Sequence, residues 1–148
     1  MLQLERKQFA IIDGILDACR NSPNWLQKKE VAICVIDAMP WLCERGWDVI
    51  GVLMPNHAHL LMRNWHGRTA QLKTDLGCFK SYTGDKANNV LDRNGAFWMP
   101  ENFDHWCRTP EKVESAKRYI DMNPVKAGLI DQSSEWPWFF DFRHTPLD

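Results

Sequence analysis

No run of this sequence approaches the roughly 18 apolar residues that a membrane-crossing helix needs, so no bilayer-spanning helix is expected. The first residues, MLQLERKQFA, lack the pattern of a secretory signal. Cysteine offers no framework either. The five thiols, at positions 19, 34, 43, 78 and 107, are odd in number and include no CxxC pair. That argues against a disulfide scaffold or a zinc knuckle and for reduced thiols, so the cytoplasm is the expected location. No sign of charge dominates: the formal net charge is −1. A dedicated duplex binder is usually basic overall, so any nucleic acid would have to be met by a local patch. Repeats, low-complexity tracts and linkers are missing too, and the 148 residues suit a single domain over 1–148 with one core. Tyrosine is scarce, with only Tyr82 and Tyr119.

What is present is an ordinary globular balance, 45% apolar and 25% charged, with an unusual eight tryptophans. Indoles fill cores or stack on bases, and composition does not separate the two. The stretch 6–12 reads as a first strand, and 13–25, punctuated by Gly14 and Pro23, as irregular. Over 26–46, Val31, Val35, Ala38 and Leu42 share one helical face, with a kink or early end expected at Pro40. Strands follow at 47–54 and 57–64, joined by a tight turn at Pro55 and Asn56. A helix over 69–91, a turn at 92–95 and a strand at about 102–108 come next. The clearest helix is 109–123. Thr109 suits its N-cap, Pro110 its first position, and Pro124 is expected to stop it. An aromatic tail, 136–142, should pack on the body. This order predicts an α+β, ferredoxin-like (RRM-like) sandwich: an antiparallel sheet with helices on one side.

Within GVLMPNHAHLLMRNW, residues 51–65, two imidazoles stand one residue apart in an apolar run. Strand side chains alternate, so His57 and His59 project from one face and Ala58 from the other. Two imidazoles on one face can share a divalent ion, and histidine suits manganese, zinc or iron better than magnesium. The bland alternative is that each ring is satisfied by a local hydrogen bond. Later, Tyr119 and Asn123 lie four apart on one helical face. Asn123 offers a hard neutral oxygen and Tyr119 a phenol. They can equally be a half-buried aromatic and a helix C-cap.

Together, VLMPNHAHLLM, FWMPENFDHWCR, YIDMNPVKAGLI and EWPW resemble the single-tyrosine HUH transposases, the REP-associated tyrosine transposases in particular. The resemblance runs from about residue 25 to residue 138. HUH denotes His, bulky hydrophobic, His; Ala58 is a small variant of the middle position. The resemblance implies that His57 and His59 bind a divalent metal (Mg2+ or Mn2+), that Asn123 completes the site, and that Tyr119 is the nucleophile. It also implies nicking and rejoining of single-stranded or hairpin DNA through a 5′-phosphotyrosine link, by a monomer or a homodimer. Tyr82 is the fallback nucleophile, otherwise a DNA-contact or packing residue. His105 is a candidate support for the metal site. Lys80, Arg108, Arg118 and Lys126 are candidate phosphate contacts, and Trp98 and Trp106 candidate stacking residues, though surface solvation and core packing compete with these roles. Relatives often carry two serines after WPW, where this chain has Phe139 and Phe140. Two other classes remain open: a non-catalytic module that holds single-stranded DNA or hairpins, and an unrelated metal hydrolase built on HxH.

Overall fold

The computed structural model describes residues 11–18, 24–67, 69–132 and 136–143. Five strands, β1 (Ile11–Ala18), β2 (Trp47–Met54), β3 (His57–Asn64), β4 (Trp98–Cys107) and β5 (Phe139–Phe142), form one sheet in the order β4-β1-β3-β2-β5. Every neighbouring pair is antiparallel. The helices are α1 (Lys29–Asp37), α2 (Met39–Glu44), α3 (Leu72–Leu91) and α4 (Pro110–Lys126). This is the expected ferredoxin-like arrangement, with β5 added outside β2. Among the described residues no helix is long and apolar enough to cross a membrane.

Four local expectations change. Residues 6–10 of the first expected strand lie outside the described residues, and β1 instead runs through the stretch read as irregular. Gly14 is not a turn residue but a point of close approach: a Cβ there would stand 3.1 Å from Asp104 Oδ1. β4 starts earlier than expected, at Trp98, and tolerates Pro100 because it is an edge strand. Pro124 does not stop α4, which continues to Lys126. The chain turns at Gly128, whose φ of +75° only glycine adopts cheaply. The break near Pro40 does occur: α1 ends at Asp37 and Pro40 sits in the first turn of α2.

The largest correction concerns the layers. The helices do not all lie on one side. α1, α2 and α3 cover one face, where Val35, Leu42, Leu76 and Phe79 meet Leu16, Leu53, Leu60 and Met62. α4 covers the other, where Val113, Ala116 and Ile120 meet Ile11, Val52, Leu61 and Cys107. β2 and β3 are therefore buried on both faces, which is why WDVIGVLM and HAHLLM read as nearly continuous apolar runs. Burying Val113 and Ile120 contributes about 3–6 kcal/mol together. An isolated helix of this length is marginal in water, so that stripe decides where α4 sits. Residues off the stripe, Tyr119 and Met122 among them, stay exposed.

The tail is integral to the sheet. Phe140 is buried and lies over Gly51 of β2, where a Cβ would come within 2.7 Å of its ring. Phe139 and Phe140, after WPW, thus build an edge strand: Phe140 packs into the α1–α3 core and Phe139 against the α4 side.

Candidate active site

Antiparallel register puts β1, β2 and β3 residues of one parity on the α4 face. Ile15 lies opposite His59 and Asp17 opposite His57. Both histidines therefore point toward α4, while Ala58 is fully buried in the other core. His59 is 2% exposed, and its ring meets Tyr119 edge-on, with centroids 5.3 Å apart and planes at 63°. Tyr119 is 48% exposed, so one side of the phenol rests on His59 and the rest is open to an incoming molecule. Asn123, one helical turn later, is buried. The Lys126 ammonium sits 5.6 Å from the Tyr119 ring centroid, over its face.

The hydrogen bonds sort the ring nitrogens. Asn56 Oδ1 lies 2.8 Å from His57 Nδ1, which suits an Nδ1–H donor and leaves Nε2 as the free acceptor. His59 Nε2 is bonded to Asp13 Oδ1. Burial pushes the His57 pKa below its ordinary value; Asp17 opposes this and His59 adds to it. A neutral imidazole at neutral pH is the form that binds a metal.

Two buried polar atoms here have no partner: His59 Nδ1 and Asn123 Nδ2. Each such orphan costs about 1–3 kcal/mol, and both side chains carry donor atoms suited to a cation. The oxygen and nitrogen of an amide exchange by a simple flip, so Asn123 can present its oxygen at the same place. Among the described residues, no three His, Cys, Asp or Glu side chains gather into a metal cluster. A cation held here would need an additional ligand of another type, and the Asn123 amide supplies one. The donor set fits a divalent ion bound by His57, His59 and Asn123.

The other candidates divide by position. His105 lies on β4 directly opposite Asp13. It shares an open groove between β4 and α4 with Trp106, Arg108, Lys112 and Tyr119. Arg118 is exposed on α4 beside Ser115, at 3.4 Å. Lys80 is not brought to the site. It extends from α3, on the opposite face, to the Met99 carbonyl at 2.5 Å and Asn102 Oδ1 at 2.7 Å. Tyr82 also belongs to α3, 56% exposed, with Lys86 over its ring. The sheet separates α3 from the histidines. Trp98 is buried and its indole donates to Thr83 Oγ1 at 2.9 Å, so it is a core residue. Trp106 is 46% exposed and borders the groove, although its position opposite Ile12 gives it the parity of the α1–α3 face. Sequence reading missed Asp13, Asp17 and Lys112. The spacing of the two aspartates in IIDGILDA, four apart and hence on one strand face, was the available signal.

No family model matches the chain. A Haemophilus influenzae protein named for the REP-associated tyrosine transposases is 29% identical over 94 residues, covering 58% of this chain. The match spans 53% of that protein, about half its length. Among solved structures, a REP-associated tyrosine transposase bound to a REP hairpin matches with a TM-score of 0.65 and 16% identity. The match covers 89% of this chain and 76% of that one, and the fold is shared. Both comparisons meet the resemblance carried by the motifs.

Proposed function

We propose that this chain is a REP-associated tyrosine transposase of the HUH type: a metal-dependent endonuclease and strand transferase acting on single-stranded DNA beside a hairpin or repeat. The observation that carries the reading is the contact, within one chain, of the His59 ring of β3 with Tyr119 of α4, while Asn123, one helical turn on, is buried with its amide nitrogen unpartnered. The similarity in sequence and fold to proteins of that name supports it.

His57, His59 and Asn123 would hold a divalent ion, Mg2+ or Mn2+. When bound, the ion supplies Lewis-acid neutralisation of charge on the scissile phosphate. The protein's own groups do the rest. Tyr119 presents its oxygen to phosphorus; the Tyr119 O–P bond forms, the P–O3′ bond breaks, and the 3′-oxygen takes up a proton as a hydroxyl. The 5′-phosphate stays on the enzyme as a diester, so its bond energy is kept and rejoining needs no nucleotide cofactor. The Lys126 ammonium, over the Tyr119 ring, is a nearby cation that can meet the phosphate. Arg108 and Lys112 line the groove with Tyr119, alongside the carboxylates of Asp13 and Asp104, and are the cations there that would meet phosphate. The contact of His59 with Tyr119 within one chain supports cutting by a monomer, and two-ended strand exchange would need a homodimer or sequential steps.

Labelled single-stranded oligonucleotides carrying a hairpin test the proposal. With Mn2+ the protein should give a DNA adduct that survives denaturing electrophoresis. Tyr119→Phe or chelation with EDTA should remove it. A non-catalytic hairpin binder would shift DNA in native gels and give no such band. An HxH hydrolase would keep cutting after Tyr119→Phe.

A further inference from the structure

We infer that Asp13 of β1 is a positioning residue: it fixes the His59 ring in the Nε2–H tautomer and so turns the Nδ1 lone pair toward the metal. The inference rests on the metal site proposed above. Asp13 pairs with Leu61 in the β1–β3 register, which makes His59 its diagonal neighbour on the same face. The carboxylate accepts from His59 Nε2. A carboxylate only accepts at neutral pH, so Nε2 must carry a proton, and in the neutral ring, the form that binds a metal, Nδ1 is then bare. Nδ1 is the ring atom left buried without a partner. His59 is 2% exposed, so no water competes for its orientation, whereas Asp13 is 23% exposed and stays solvated on its far side. Asp13 does not complete a cluster of three His, Cys, Asp or Glu side chains among the described residues. That places it behind the histidine and not beside it as a ligand. His105, across β4 from Asp13, borders the same groove.

The experiment uses the full chain, metal-free and 15N-labelled, with long-range proton–nitrogen spectra of the imidazoles, followed by titration with Mn2+ alone by calorimetry. Wild type should show His59 as a single Nε2–H tautomer. Asp13→Asn retains an oxygen that accepts from Nε2–H; it should keep the tautomer and lose less than about tenfold in Mn2+ affinity. Asp13→Ala should give mixed tautomers and lose about 10–100-fold. Should Asp13→Ala fail to fold, Asp13→Asn and the wild-type spectrum still decide. An Nδ1–H tautomer in wild type, or an Asp13→Ala variant unchanged in tautomer and affinity, overturns the inference. Wild type that binds no Mn2+ overturns the metal role and the site it rests on, while the spectra decide separately whether Asp13 sets the tautomer.

Discussion

Gly51→Ala should damage the active site from behind without touching a functional side chain. Gly51 lies on β2 opposite Leu60 of β3 and under Phe140 of β5. An added Cβ would stand 2.7 Å from Phe140 Cζ and closer still to the carbonyl oxygen of His59, although real Cβ contacts essentially never fall below 3.0 Å. The Phe140 ring alone would have to retreat by at least 0.3 Å, from 2.7 to 3.0 Å. Its neighbour is backbone, which gives less easily than the end of a side chain. Overpacking of this kind costs about 1–3 kcal/mol, and a clash with a central strand belongs at the upper end. For a chain of this size that lowers the melting temperature by roughly 6–12 °C. The strand that must move carries His59. A displacement of about 1 Å at a reacting centre costs on the order of 10²-fold in rate. Thermal melting and the initial rate of covalent adduct formation, measured well below the new melting point, check both parts. A variant with wild-type melting temperature and rate would refute the close approach of β2 to the His59 backbone.

Other outcomes follow from the same geometry. Trp98→Phe removes the indole donor to the buried Thr83 hydroxyl and should cost about 1–3 kcal/mol in urea denaturation, while the folded fraction still forms adduct. Tyr82→Phe should leave adduct yield at wild-type level on denaturing gels, since Tyr82 lies on α3, across the sheet from His57 and His59. Burial lowers the His57 pKa from 6.5, so the unfolded chain takes up its proton first as the pH drops. Stability from this group is full above pH 6.5 and declines below it until the folded pKa is passed. Proton NMR of the metal-free protein should place the His57 midpoint below 6.5, and His57→Gln should flatten the decline in urea midpoint over that window.

Much of this was legible in the sequence because local rules and tertiary structure agree. His57 and His59 share a face by strand alternation alone, and Tyr119 and Asn123 by helical spacing. Thr109 and Pro110 start α4 as their chemistry requires, the Thr109 side chain accepting from the Lys112 N–H at 3.2 Å. What alternation cannot say is which face a helix covers. HAHLLM is apolar at both parities, and that alone signalled burial on both sides; the sandwich was nonetheless expected with one helical layer. β1 was hidden because Gly14 looks like punctuation when it is a close approach to Asp104. Asp13 was hidden with it, since its meaning depends on a register with β3, 46 residues away. By type alone Lys80 could meet phosphate or solvent and Trp98 could stack on a base or fill a core; only packing shows Lys80 tied to Met99 and Asn102 and Trp98 bonded to Thr83.

The central claim is that the β3 imidazoles and an α4 amide share one cation beside an α4 phenol. Diffraction from crystals soaked in Mn2+, recorded at the manganese edge, tests it most directly. One anomalous peak is expected within coordination distance of His57, His59 and Asn123, with the Tyr119 ring alongside. A peak elsewhere, or none at saturating Mn2+, would contradict it.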